Sequence, residues 1–158
     1  MRTLLPCLLV ALTTSLGCAK DAKPALDPAA TVRFVVAGEG DVAPLVVAQA
    51  ARSQAEHRRV LLYVSAPWCE PCRVFHEAVD RGELTGKLGA LDLLAFDGDR
   101  DAERLLMSGY ESQYIPAFAV PGVDGRAVGR KIEGSVKGGA AVGDMVPRLR
   151  ELLADPPH

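Results

Sequence analysis

"VLLYVSAPWCEPCRVFH" (residues 60–76) begins as a strand and ends as a helix. Residues 60–66 are a continuous apolar run with β-branched and aromatic members, broken only by Ser65, and read as a buried central strand. Val74, Phe75, Ala78 and Val79 then recur on one helical face. Cys69 and Cys72, with Glu70 and Pro71 between them, therefore fall at a strand-to-helix junction, on the first turn of the helix. Pro71 suits that position because it has no N–H to lose there. Three chemistries fit two cysteines so spaced: a redox pair, half of a metal site, or a staple in a turn. The staple is the weakest, since a disulfide across two residues closes a very short loop and gains little entropy.

Working outward, residues 31–36 (TVRFVV) form a short strand that ends at the break GEG. Asp41 is a good N-cap, and Val42, Leu45, Val46 and Ala50 follow at helical spacing up to the basic HRR at 57–59. Those cations, His57 among them, suit a helix C-terminus. Residues 91–97 (LDLLAFD) are a second buried strand, followed by a loop and a helix capped by Asp99 or Asp101. Residues 117–120 and 127–133 form a hairpin across the turn GVDG. Asp144 is expected to cap a last helix carrying Met145, Val146, Leu149, Leu152 and Leu153. The order is β-α-β-α-β-α-β-β-α, which predicts one α/β domain over residues 31–155 and a tail at 156–158.

A chain of 158 residues suits one domain, and 49% hydrophobic residues suffice for a core. The formal net charge is −2 with no basic stripe, so nucleic-acid binding has no support. Residues 1–18 have another character: Arg2, an apolar run over residues 4–12, then small and polar residues, the layout of a secretory signal. The run is too short to span a membrane, which takes about 20 apolar residues. The end of the signal, TSLGCAK, resembles a bacterial lipobox, with Gly17 before Cys18 and Leu16 one place later than usual. The resemblance implies a lipidated Cys18 and a membrane anchor; ordinary secretion with cleavage near Ala19 is the alternative. Either cut removes Cys7 and Arg2, and the formal charge becomes −3. Residues 19–30, rich in Ala, Pro, Asp and Lys, read as a tether. The folded part then keeps Cys69 and Cys72 as its only thiols, in a compartment where disulfides persist.

The whole stretch 31–155 resembles the thioredoxin family. The residues that carry the likeness are YVSAPWCEPC on the strand-to-helix turn, FDGDRDAERLLMSGYESQYIPAFAV, and the closing GRKIEG strand. The resemblance implies a three-layer sandwich with a central mixed sheet flanked by helices. It also implies a thiol–disulfide oxidoreductase that needs no bound cofactor, acts on protein thiols and disulfides, and is monomeric; the leader makes it extracytoplasmic. Cys69 would attack and Cys72 resolve, forming a Cys69–Cys72 disulfide. Trp68, Glu70 and Pro71 would shape the site. Ile115 and Pro116 would sit beside the pair, with Pro116 cis and the Ile115 backbone pairing with substrate. CEPC is similar to the pair of anchored reductases in cytochrome c maturation, which favours the reducing direction. The chain departs from the family at Tyr63, where many thioredoxins hold a buried aspartate thought to assist proton transfer.

Other features weigh less. Asp97, Asp99 and Asp101 begin like a calcium loop, but Ala102 and Ser108 stand where glycine and glutamate are needed. Helix capping and a solvated loop account for these acids. Cys69, Cys72 and His76 lack a fourth zinc ligand in sequence, unless His57 approaches in space, so no metal is expected and His76 reads as a helix-surface residue. Trp68 is expected at the rim of the site; Tyr110 and Tyr114 fit either that surface or the core. Two rivals stay open: a redox-inactive binding protein on the same fold, and a metal carrier using the pair.

Overall fold

The computed structural model describes Asp27 and residues 29–154. The signal, Cys18, most of the tether and the tail at 156–158 lie outside the described residues. The elements are β1 (Val32–Val36), α1 (Val42–Ala55), β2 (Arg59–Ser65), α2 (Glu70–Asp80), β3 (Leu91–Asp97), α3 (Ala102–Met107), β4 (Ala117–Pro121), β5 (Ala127–Glu133) and α4 (Ala141–Ala154), the last entered through a 3-10 turn at Gly138–Ala140. The order is the one expected. No helix among the described residues is long and apolar enough to cross a membrane.

The five strands form one mixed sheet in the order β1-β3-β2-β4-β5, with β2 central. β1 and β2 run parallel to β3, pairing Val32 and Arg59 with Leu91. β4 is antiparallel to β2, with Tyr63 opposite Phe118, and β5 completes the hairpin. The crossover from β1 to β2 and the one from β2 to β3 travel in opposite directions across the sheet. With the same right-handed sense they must use opposite faces. Accordingly Leu61, Tyr63, Leu91, Leu93 and Phe118 pack with Phe75 of α2 and with Met145 and Leu149 of α4. On the other face Leu62, Val64, Leu94 and Phe96 pack with Val42 and Val46 of α1 and Leu105 of α3. Where successive connections leave for opposite faces, the carboxyl edge of the parallel strands stays open, the usual place for a site in such sheets. The cysteine pair follows the carboxyl end of β2.

Several local expectations need correction. The inward face of α1 is Val42, Val46, Gln49 and Ser53, and Leu45 and Ala50 are only half-buried. The polar pair faces in because it serves a carboxylate: Ser53 Oγ donates to Asp92 Oδ2 at 2.6 Å and Gln49 Nε2 at 3.3 Å. The cations at 57–59 do not act on the α1 dipole as a group. His57 follows the helix at φ 55°, and its N–H donates to Gln54 O, so it stops α1 by backbone conformation. Arg58 instead reaches Asp92, and Arg59 donates to Leu88 O and to Leu153 O of α4. Asp144 lies inside α4, where it accepts from Ser135 Oγ and Arg148 and so ties the helix to the chain leaving β5. The hairpin turn needs glycine at residue 125: φ is +78°, and a Cβ would lie 2.1 Å from Ala43 O.

Candidate active site

β2 ends at Ser65, whose carbonyl accepts the Gly98 N–H at 2.7 Å and so fixes the loop after β3. The chain turns over Ala66, Pro67 and Trp68, with Cys69 N–H donating to Ala66 O at 3.0 Å. Cys69 is the N-cap of α2: its backbone is extended, and its Sγ accepts the Cys72 N–H at 3.3 Å. Cys69 and Cys72 are joined by a disulfide, with Cα atoms 5.3 Å apart. Pro71, buried in the first turn, fits where a missing N–H costs nothing. The helix is seated by Phe75, which meets Phe118 of β4 edge-on at 5.2 Å.

The attacking role assigned to Cys69 suits an exposed sulfur at the end of the junction, yet Cys69 is 3% exposed and Cys72 is 2% exposed. As an N-cap, Cys69 folds its side chain back over the first turn instead of projecting it. What distinguishes the two sulfurs is electrostatic: Cys69 Sγ receives a backbone N–H at the positive end of an 11-residue helix.

Trp68 is the exposed residue of the turn, 69% accessible, and its indole Nε1 donates to Asp99 Oδ2 at 2.7 Å. That bond holds the ring against the loop after β3. Trp68 lines a cavity of about 390 Å³ together with Gly98, Asp99, Tyr114 and Ile115. The Ile115–Pro116 peptide is cis, and Pro116 O accepts the Gly134 N–H at 2.9 Å. Trp68 and Ile115, far apart in sequence, thus share one concave surface. Both tyrosines line this cavity: Tyr114 is 66% exposed at its rim, while Tyr110 is buried in its wall and donates its hydroxyl to Gly125 O. Glu70 turns away, its carboxylate oxygens both 3.1 Å from Gly138 N, and so links the cysteine turn to the start of α4. Arg73 is turned onto Glu77 on the outer face of α2.

Tyr63 stands in the aromatic core between Phe34, Phe75 and Phe118, fully buried. Burial pushes its phenol far above the ordinary range, with the nearby Ser65 hydroxyl opposing only weakly. No hydrogen bond to the Tyr63 hydroxyl forms among the described residues. A neutral phenol in that position is no proton acceptor near neutral pH.

The acidic loop after β3 is structural. Asp97 Oδ1 accepts the N–H groups of Asp99 and Arg100. Asp101 occupies the N-cap position of α3 but makes no capping bond. It is buried instead, accepting from Asp97 N–H and Arg100 and pairing with Arg104. Burial alone would raise its pKa; the bonds from Arg100, the Asp97 N–H and Arg104 outweigh it and hold the carboxyl at about 2. A depressed carboxyl stabilises the fold above its unfolded pKa and loses that stabilisation as pH falls through the folded value. Between pH 5 and pH 2 this site should cost the protein about 2 kcal/mol. Asp101→Asn should flatten that part of a denaturant-measured stability curve; an unchanged slope would contradict the pairing.

Sequence reading missed Asp99 as the Trp68 partner and misplaced His76. The His76 ring is half-buried and stacks on Phe34 of β1 at 3.9 Å. The signal for both lay only in their nearness to the pair. Among the described residues, no group of three or more His, Cys, Asp and Glu side chains is placed to hold a metal ion. Comparison of the chain with protein-family models, curated proteins and solved structures finds no match.

Proposed function

We propose that this chain is a thiol–disulfide oxidoreductase on a thioredoxin-like fold, exchanging its Cys69–Cys72 pair with cysteines of protein partners. The observation that carries the reading is the seat of Cys69: an N-cap sulfur that accepts the Cys72 N–H and is disulfide-bonded to Cys72. In the reduced pair the same N–H and the helix terminus favour a Cys69 thiolate, which is the attacking form. That thiolate attacks a substrate disulfide, forming a mixed disulfide and releasing one substrate thiolate. Cys72 then attacks Cys69 Sγ, closing the protein disulfide and releasing the second. The two cysteines carry both electrons, so the scheme needs no bound cofactor. The mixed sheet, the helices on both faces and the cis Ile115–Pro116 bond are compatible with this fold. The surface joining Trp68, Tyr114 and Ile115 is suited to an extended partner chain.

The reducing direction is the favoured one, on the likeness of CEPC to anchored reductases. Potentials of such pairs span about −270 to −120 mV, so measuring this one assigns direction. Residues 1–18 and Cys18 support an exported, lipid-anchored protein facing the periplasm or the cell exterior. A second reading, a binding protein whose disulfide no longer turns over, is favoured by one observation: both sulfurs are buried and the residue at 63 is a neutral phenol.

Cys72→Ser separates the two. Expressed in the cell of origin, this variant should accumulate partner proteins disulfide-linked to Cys69, released by reductant and seen on non-reducing gels. A folded variant with a reactive Cys69 that captures nothing would favour the binding protein.

A further inference from the structure

A second cavity, of about 420 Å³, opens beside the cysteine pair on the side towards β1. Cys72 and His76 both line it, with Ser65 and Asp97 from the ends of β2 and β3, Arg73 from α2, and Arg100 from the loop after β3. Cys72 and His76 are four residues apart on α2, so their Cβ atoms lie about 6 Å from each other on one helix face. Phe34 stacks on the imidazole at 3.9 Å and Tyr63 meets it at 5.5 Å, which fixes the ring towards the cavity edge. Neither ring nitrogen of His76 makes a hydrogen bond to a described residue. Tyr63 occupies the place where many thioredoxins hold an aspartate, and it cannot take a proton near neutral pH. The scheme above still has to remove a proton from buried Cys72.

We propose that His76 is the proton acceptor for Cys72, working across this cavity. The proposal rests on the exchange reading above. In the resolving step the Cys72 S–H proton passes to an imidazole nitrogen, directly or through one water. The Cys72 thiolate then attacks Cys69 Sγ; the Cys69–Cys72 bond forms, the mixed disulfide breaks, and the substrate sulfur leaves as a thiolate. In the opposite direction the imidazolium returns the proton to Cys72. A cavity of this size, mostly apolar but with Ser65, Asp97 and Arg100 among its lining residues, has room for the bridging water.

The charges around His76 suit the task. Burial lowers its pKa and Asp80 on its own helix opposes that only in part, so the imidazole is neutral and ready to accept. Arg73 and Arg100 also line the cavity, but each is paired with an acid, Arg73 with Glu77 and Arg100 with Asp101, and Asp97 lines it too, so no unpaired charge competes with the imidazole for the Cys72 proton. Asp97 is partly neutralised by the N–H groups of Asp99 and Arg100.

The test is single-turnover oxidation of the reduced full-length protein by oxidised glutathione, followed by stopped flow over a range of glutathione concentrations and from pH 5 to pH 9. The initial slope reports Cys69 attack and the plateau reports resolution by Cys72. His76→Phe keeps a flat ring against Phe34 without a nitrogen, and His76→Gln is a second, polar variant. Either should lower the plateau at least tenfold at pH 7, in line with general-base contributions of about 10²–10⁴, and leave the slope unchanged. The wild-type plateau should fall with decreasing pH at an inflection below the ordinary histidine value of about 6.5, and the variants should lack that inflection. An unchanged plateau and inflection, or equal loss in slope and plateau, would overturn the assignment. As a measurement independent of turnover, iodoacetamide labelling of Cys72 in Cys69→Ser protein should follow the same inflection and lose it with His76→Phe. A wild-type pair that never exchanges, with that labelling inflection present, overturns the enzyme reading and leaves the Cys72–His76 coupling standing. Active exchange indifferent to His76 overturns only the coupling.

Discussion

Cys69→Ser is expected to abolish disulfide exchange while leaving the fold in place. The loss should exceed a thousandfold, about 4 kcal/mol in the barrier, because a hydroxyl cannot form the mixed disulfide at all. The fold should survive for two reasons. The disulfide closes a loop so short that its removal costs at most about 2 kcal/mol. Serine is also a favoured N-cap, so its Oγ can take the Cys72 N–H now bound by Cys69 Sγ. Reduction of a small disulfide probe by the reduced protein, with circular dichroism as the control for folding, measures both. Retention of more than a few per cent of the wild-type rate would sink the assignment of Cys69 as the attacking sulfur. Cys72→Ser should behave differently: attack persists, resolution stops, and the mixed disulfide accumulates. That contrast is what an ordered two-cysteine mechanism demands, and loss of a merely structural disulfide would not produce it.

The largest loss of stability is expected at Asp92. This carboxylate is 0% exposed in the middle sheet layer. It accepts from Arg33 Nε at 2.7 Å, Arg58 Nε at 2.6 Å and Ser53 Oγ at 2.6 Å, with Gln49 further off at 3.3 Å. Burial alone would raise its pKa, but the bonds from Arg33, Ser53 and Arg58 win and keep it ionised. Arg58 also donates to Thr31 O and Leu91 O, so the cluster ties α1, β1, β2 and β3 together at one end of the sheet. Asp92→Ala removes the acceptor and leaves Ser53, Gln49, the largely buried Arg58 and the half-exposed Arg33 without it. Breaking a buried pair from one side costs about 3–5 kcal/mol. Asp92→Asn, which keeps one acceptor oxygen, should lose less. Urea midpoints at constant slope measure the difference, and an Asp92→Ala protein within about 1 kcal/mol of wild type would contradict the account. The cluster lies at the opposite end of β3 from the cysteine turn, so a mild variant that still folds should exchange disulfides at the wild-type rate.

How far the fold could be read in advance varied by residue. Residues 60–66 declared a central strand because a run buried on both faces is apolar without alternation, and β2 is indeed flanked by β3 and β4. The same reading took residues 91–97 for a buried strand but passed over the acid in second place. That acid was the signal: an aspartate inside an apolar run needs partners, and the polar residues at 49 and 53 were two of them. The α1 face was misread for the same reason, since a hydrophobic stripe cannot reveal a polar residue turned inward to serve a buried charge. Asp144 and Asp101 were assigned as caps by their local position, yet both accept bonds from arginines and other groups that the folded chain brings to them.

The sequence by itself determined the order of elements, the hairpin and the seat of the cysteine pair at the head of α2. These follow from periodicity and turn chemistry, which act over a few residues and need no knowledge of neighbours. Only the tertiary structure decided what surrounds the pair: that both sulfurs are covered, that Trp68 is held by Asp99, that Ile115 shares its cavity, and that His76 leans on Phe34 beside Cys72. It also decided the partners of Asp92, which lie 34, 39, 43 and 59 residues away in the chain. Contacts over such separations leave no periodic trace in a sequence, because the sheet order that creates them is fixed by the packing of whole elements on both faces.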